Sequence, residues 1–422
     1  MVRGENAMRM SKLFTKTSKT IPADETAKNA QLLIQAGYIH KEMAGVYAYL
    51  PLGKKVLDNI AQIVREEMDS IGGQEVQLSV LQPKDIWEKT DRWDDKKVDN
   101  WFKTKLVNGT ELGVGLTHEE PLVDALRSYV TSYKDFPIYA YQIQNKFRNE
   151  LRAKSGLLRG REFVMKDMYS MARDQAEHAQ LYEEVAAAYN KVYDRLGLGK
   201  ITYRTYADGG IFTDKFSDEF QTLSDIGEDT IFVDEAKRIA VNKEVYTDEN
   251  LKKLGISKDD LVEKRGVEVG NIFPLESKYT DALDVYYTDE NGKKQSIIMG
   301  CYGIGISRLV GVIAEHFSDE NGLIWPENIA PFRVYLVQIG EAAAKEARDI
   351  YDELKAQGVT VLWDDRDIRP GQKFADADLM GIPCRVVISE KTIAGGQYEI
   401  KKRTEKESSL VSKQELLKIL AT

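Results

Sequence analysis

The chain changes its pattern of elements at WPENIAPF (325–332), where two prolines break any helix or central strand. Upstream, extended runs follow one another with helices between them. Residues 54–70 place Val56, Leu57, Ile60, Ile63, Val64 and Met68 on one helical face. GGQEVQLSVLQP (72–83) reads as a turn followed by an extended strand ending at Pro83. PIYAYQIQNKFR (137–148) and GREFVMKDMYSM (160–171) read as strands joined by a short charged loop, hence as a hairpin. Residues 174–195 form a helix, and ALDVYYTDENGKKQSIIMG (282–300) is another hairpin turning at ENGK. This predicts an α+β domain on an antiparallel sheet over residues 1–328. Downstream the pattern is β-α-β-α-β: RVYLVQIG, a helix over 342–357, GVTVLWDD, a helix from about 371, and CRVVISE. With the closing helix SKQELLKIL, it predicts a small α/β domain over residues 333–422.

The 422 residues suffice for two or three domains with full cores. Two cysteines and four scattered histidines argue against a disulfide framework and leave no Cys/His zinc cluster. No run approaches about 20 apolar residues, so no membrane span is expected. The N-terminal stretch has charges but no apolar core of a signal peptide. A reducing, cytoplasmic setting is expected. The net charge is −9, and residues 333–422 balance 15 Lys and Arg against 15 Asp and Glu. The acidic surplus lies upstream, so any nucleic-acid partner must use local basic patches.

Two stretches carry chemistry. In MGCYGIGISR (299–308) an apolar run ends in glycines and a helix-like pattern follows. Gly303-x-Gly305-x-x-Arg308 puts arginine where a dinucleotide turn needs its third glycine, and no P-loop consensus occurs in the chain. A cation in the first turn of a helix opposes the helix dipole. It makes sense if Arg308 faces a strongly anionic ligand such as a triphosphate. The alternative is a tight turn with a solvated arginine. The hairpin at 139–168 holds Arg148, Arg152, Lys154, Arg159 and Arg161. An arginine at a strand end can give a phosphate a bidentate fork. Glu150 can accept from an adenine amino group or orient Arg148. Phe163 can stack on a base, an interaction typically worth ~1–3 kcal/mol. The alternative is a solvated basic hairpin around a core phenylalanine.

Together these residues resemble the class II aminoacyl-tRNA synthetases. Phe147-Arg148-x-Glu150 with Arg159-x-x-x-Phe163 resembles motif 2 (about 139–168), and Gly303-x-Gly305-x-x-Arg308 resembles motif 3 (about 297–316). The helix at 54–70 and the strand ending at Pro83 resemble motif 1 (about 54–83), which lies at the dimer interface in that class. Within the class, LTHEEP (116–121), YQIQNKFRNELR (141–152), LLRGREFVMKDMYS (157–170), EFQTLSDIGED (219–229), GVEVGNIFPL (266–275) and MGCYGIGISR (299–308) resemble the bacterial-type prolyl-tRNA synthetases. DDRDIRPGQKFADADLMGIP (364–383) is similar to their anticodon-binding domain.

The resemblance implies a reaction and its residues. L-proline would be activated with ATP and Mg²⁺ to prolyl-adenylate, then transferred to tRNA(Pro). Arg148 would bind the α-phosphate and the proline, with Arg159 and Arg308 on the β- and γ-phosphates. Arg148 and Arg308 are thus the expected catalytic residues. Phe163 would stack on adenine and Glu150 would read its amino edge. Thr117 and Glu119 would meet the imino group, and Cys301 and Gly303 would line the ring pocket. Gln221, Asp167 and Glu268 would complete the ATP or proline shell. His118 is read as a packing or orienting residue rather than a base. Arg366, Arg369 and Lys373 would read the anticodon.

In one respect the chain departs from this pattern. Bacterial-type enzymes usually carry an editing domain between motifs 2 and 3. Here residues 230–265 stand in its place, a polar stretch read as at most two short helices. No editing in cis is expected, and a separate editing protein becomes an expected partner beside the second subunit of a homodimer. Two rivals remain: a class II enzyme for threonine, serine or glycine, and an inactive synthetase-like regulator. The Thr-His-Glu loop argues against the first, and the presence of all three phosphate arginines against the second.

Overall fold

The computed structural model describes residues 7–421 apart from 211 and 214. It divides into two compact units. One comprises residues 44–46 and 61–309; the other comprises the chain up to residue 43, residues 47–60 and residues from 310 onward.

The first unit is built on a nine-stranded sheet. Its middle four strands are Val262–Glu276, Ile298–Gly305, Glu162–Ala172 and Ile138–Phe147, all antiparallel. Gln74–Glu75 adds in parallel beside Ile138–Phe147. On the other side lie Asp229–Asp234, Ile239–Asn242, Thr202–Ala207 and Ser217–Leu223, and the last of these also pairs with Val262–Glu276. Helix Gln175–Arg195 starts at Asp174, whose carboxylate accepts from Glu177 N (2.9 Å). It buries Leu181, Val185, Ala188, Tyr189 and Val192, the spacing of one helical face. A second core packs Trp87 on Trp101, with ring centroids 4.2 Å apart.

Two sequence readings need correction. Residues 72–83 are not one strand: Gln74–Glu75 belongs to the large sheet and Leu81–Pro83 to a three-stranded one. Between them, side-chain amides replace strand neighbours. Gln142 Oε1 accepts from Leu78 N (3.1 Å) and Gln144 Nε2 donates to Leu78 O (2.7 Å). Residues 230–265 are also more than short helices. Strands Asp229–Asp234 and Ile239–Asn242 pair with each other, the former joins Val262–Glu276, and helix Asp248–Leu254 follows. Ile231, Val233 and Ala240 are buried together on one face and Val241 packs on the other with Val245 and Leu251, so two short apolar faces are hidden in a polar stretch.

In the second unit, Ala7–Arg9, Val361–Asp364, Val334–Ile339 and Cys384–Ser389 form a parallel run. Tyr398–Lys402 and Ser409–Val411 extend it antiparallel. Helices Ala344–Ala356, Pro370–Met380 and Lys413–Ala421 accompany the strands, as the alternating pattern predicts. The first strand, from the far N-terminal segment, was not anticipated. Among the described residues, no helix is long and apolar enough to cross a membrane.

Candidate active site

The site grows from the ends of the middle strands. Arg148 follows strand Ile138–Phe147 directly, and its backbone N donates to Arg161 O (2.8 Å). The returning loop is pinned by Arg161, whose N donates to Gly45 O (2.7 Å), Nη1 to Ala44 O (2.7 Å) and Nε to Glu150 O (3.0 Å). The Arg148 guanidinium lies over the Phe163 ring, 5.2 Å from its centroid. Burial lowers its pKa, and the neighbouring Arg308 lowers it further.

Arg308 sits in the first turn of helix Ile306–His316, after the glycine strand. Its Nε donates to Leu158 O (2.9 Å), and its Nη1 donates to Glu268 O and pairs with Glu268 Oε2 (3.2 Å). These acceptors hold the cation against the unfavourable helix dipole. Arg159 is half-exposed; it pairs with Glu150 (2.9 Å) and Glu228 (3.4 Å). All three arginines line one cavity, with Glu150, Phe163, Glu268, Gly303 and Gly305. A Cβ at Gly303 would lie 2.8 Å from Asn271 Oδ1, and one at Gly270 would lie 2.4 Å from Tyr193 Oη. Glycine at 303 therefore leaves room for Asn271 on the cavity wall, and glycine at 270 leaves room for Tyr193 of helix Gln175–Arg195 behind it.

Beside the cavity is a buried polar cluster. Thr117 Oγ1 is 2.8 Å from both carboxylate oxygens of Glu119, which begins helix Glu119–Leu126. The Cys301 thiol donates to Glu119 Oε1 (3.3 Å), and burial followed by the Glu119 charge pushes its pKa up, so it is a thiol and not a thiolate. Arg92 Nη1 reaches Glu119 (3.2 Å) and Glu120 (3.0 Å). Its guanidinium is enclosed by Trp87, Phe212 and Tyr279, 4.9, 5.3 and 5.3 Å from their ring centroids.

Asp167, opposite Gly303 in the sheet, pairs with Lys146 (2.7 Å) and accepts from Gln142 (2.9 Å) and Tyr169 (3.0 Å). Burial would raise its pKa; Lys146 and His118 outweigh that and lower it. His118 Nδ1 lies 2.7 Å from Lys146 Nζ, and Nε2 lies 3.1 Å from Ser79 O. Burial and the Lys146 charge bring its pKa down to about 4, so it is neutral, accepting at Nδ1 and donating at Nε2. An imidazole so engaged is an orienting group.

Thus Arg148, Glu150, Arg159, Phe163, Glu268, Gly303 and Arg308 share the cavity wall. Thr117, Glu119 and Cys301 form the adjoining cluster, and Asp167 lies in the network around His118. Gln221 lies outside the cavity wall: it is buried on Ser217–Leu223, donating to Glu219 (2.9 Å) and Asp229 (2.8 Å). Glu150 holds Arg159 rather than Arg148. In the second unit, Lys373 is buried, donating to Gln338 O (2.6 Å) and Asp364 O (3.2 Å), and Arg366 pairs with Asp364 and Asp376. Arg369 alone of that trio is exposed. Sequence reasoning missed Arg92, Lys146, Glu219, Glu228 and Asp229. Burial, followed by the charge of Glu268, raises Glu219 to about 8. Arg92 belongs to no local pattern; Lys146 lies within YQIQNKFRNELR and Glu219, Glu228 and Asp229 within EFQTLSDIGED, blocks that mark the family without giving these residues a role, although a lysine inside an aromatic strand (YQIQNKF) is a signal for Lys146.

Both parts of the chain match known families. Residues 102–317 match the family described as tRNA synthetase class II core domain (G, H, P, S and T), and residues 333–422 match an anticodon binding domain. A proline–tRNA ligase of Phenylobacterium zucineum is 39% identical, covering 94% of this chain and 96% of its own. One from Ehrlichia ruminantium is 38% identical, covering 97% and 99%. With proline–tRNA ligase 1 of Bacillus thuringiensis the identity is 31%, and the alignment runs over 567 positions against a chain of 422 residues. That relative therefore carries a long stretch without counterpart here. A Giardia lamblia prolyl-tRNA synthetase, solved with prolyl-adenylate, shares the fold with a TM-score of 0.75 at 17% identity, covering 92% of this chain and 74% of that one. With two matched domains and relatives aligned end to end, the chain belongs to the bacterial-type prolyl-tRNA synthetase family of class II synthetases, without the extra editing domain.

Proposed function

We infer that the protein is a proline–tRNA ligase, which activates L-proline with ATP and transfers the prolyl group to tRNA(Pro). The observation that carries this is the meeting of Arg148, Arg159 and Arg308 in one cavity beside the Thr117–Glu119–Cys301 cluster. Adenylate formation is an in-line attack of an ionised carboxylate on the α-phosphorus. It needs no side-chain base, only orientation and cations placed where charge builds up. Arg148 binds the carboxylate and α-phosphate; two neighbouring guanidinium groups in one cavity ask for an anion between them. Arg159 and Arg308 take the β- and γ-phosphates, with Glu150 and Glu228 holding Arg159 until a phosphate competes for it. Phe163 stacks on adenine. Glu119, oriented by Thr117, Cys301 and Arg92, binds the imino group.

The carboxylates along the cavity also suit a hard cation. Asp229 and Glu268 line it, and burial raises the pKa of Asp229, a carboxylate short of positive partners. Mg²⁺ binds through one or two carboxylates and phosphate oxygens, and would neutralise the pyrophosphate leaving group there. In the second unit Arg369 reaches the anticodon, while Arg366 and Lys373 shape its loop from inside. A homodimer through residues 54–83, a cytoplasmic setting and a separate editing protein belong to the same reading. Pyrophosphate exchange assayed with twenty amino acids tests it. The fastest exchange is expected with proline; fastest exchange with threonine or serine overturns the assignment.

A further inference from the structure

Two anchors fasten residues 9–17 to the stretch 364–376 of the same unit. At the first, Arg9 Nε donates to Asp365 Oδ2 (2.6 Å), and Ser11 donates to the same carboxylate from N (2.9 Å) and Oγ (2.7 Å). The Arg9 guanidinium also lies 4.8 Å from the centroid of the Trp363 ring. At the second, Thr17 Oγ1 donates to Asp376 Oδ1 (2.7 Å). Arg369 falls between the two anchoring acids, just before helix Pro370–Met380. Phe14 falls between the same anchors on the N-terminal side.

Between the anchors the chain alternates. Leu13 and Thr15 are buried, whereas Lys12, Phe14 and Lys16 point outward, with Phe14 76% exposed. Lys19 is exposed just beyond. One exposed phenylalanine needs no explanation by itself. This one lies on a tethered segment, between two lysines. The acids nearby are largely neutralised: Asp365 is bound by Arg9 and Ser11, and Asp376 by Thr17 and Arg366. Asp367 is the exposed acid left in the stretch 364–376.

Single-stranded RNA loops offer unstacked bases on a polyanionic backbone, and proteins bind them with aromatic faces flanked by cations. We propose that residues 12–19 form part of the tRNA-binding surface, with Phe14 stacking on an unpaired base of the anticodon loop and Lys12, Lys16 and Lys19 meeting phosphates. This rests on the reading of Arg369 as an anticodon-facing residue, and the test separates the two.

The test uses the full-length protein and a transcript of a tRNA with a proline anticodon. Charging is measured against tRNA concentration, and proline-dependent pyrophosphate exchange in parallel. Phe14→Ala is expected to raise KM for tRNA about 5- to 100-fold, the range of one lost stack. Exchange stays unchanged, and Phe14→Tyr restores most of the loss. The Lys12→Ala, Lys16→Ala double variant is expected to flatten the salt dependence of tRNA affinity. An unchanged KM in Phe14→Ala alongside a raised KM in Arg369→Ala overturns this inference and leaves the anticodon reading standing. If neither variant moves KM, both fall. A raised KM in Phe14→Ala that comes with a halved sedimentation mass assigns the face to a second copy of the chain, and also overturns it.

Discussion

His118 is enclosed on both ring nitrogens, by Lys146 and by the Ser79 carbonyl, and its pKa of about 4 lies below the ordinary 6.5. The unfolded chain therefore takes up a proton in the window between those values that the folded chain refuses. Stability contributed by the neutral ring is complete above pH 6.5 and is lost as pH falls towards 4, at up to about 1.4 kcal/mol per pH unit. His118→Asn should keep an acceptor for Lys146 and abolish that part of the slope; denaturant melts of both proteins from pH 7 to pH 4 measure it. An equal slope in the variant contradicts the neutral assignment. At Glu119 the expected change is in substrate affinity. Glu119→Gln loses a charge-assisted contact worth roughly 1.5–3 kcal/mol, so KM for proline in the exchange assay should rise about 10- to 100-fold. The arginines and glycines of the cavity were legible because they recur at fixed spacings next to strand ends. Arg92 was not, because its partners Glu119 and Glu120 lie more than 25 residues away and only packing brings them together. Lys373 looked like a base reader because a sequence does not show that its amine is buried on two carbonyls.

At the scale of elements, the hairpin Ile138–Phe147 with Glu162–Ala172 and the glycine strand Ile298–Gly305 were readable from alternation and turn chemistry. The strands at 229–242 were not, because their apolar faces are only two residues deep on each side and lie between charged turns. They pair with each other and are built into the large sheet between Thr202–Ala207 and Val262–Glu276, forming no separate domain. Editing is therefore not expected in this chain. A pocket separates substrates differing by a methylene by only ~1–3 kcal/mol, and alanine is smaller than proline. Purified protein should form Ala-tRNA(Pro) and Cys-tRNA(Pro) slowly and leave both intact. Hydrolysis of preformed Ala-tRNA(Pro) by the protein alone, followed by acid gel, contradicts this.

For the whole molecule, a homodimer predicts a sedimentation mass near twice 47.8 kDa at micromolar concentration; a mass near 47.8 kDa contradicts it. The change of pattern at 325–332 announced the α/β sheet of the second unit, but the parallel strand Ala7–Arg9 in that sheet comes from more than 300 residues upstream, and no local signal marks it. The same kind of long-range closure makes the site: Arg148 and Arg159 from one hairpin meet Arg308 from a helix start far along the chain. Arg148 stands at the centre of this arrangement, over Phe163 and beside Arg308. The most direct measurement is proline-dependent pyrophosphate exchange by Arg148→Ala, with its thermal melt recorded alongside. The account predicts a loss of at least about 100-fold in rate with a cooperative melt retained. Exchange at the unsubstituted rate by a folded variant would contradict it.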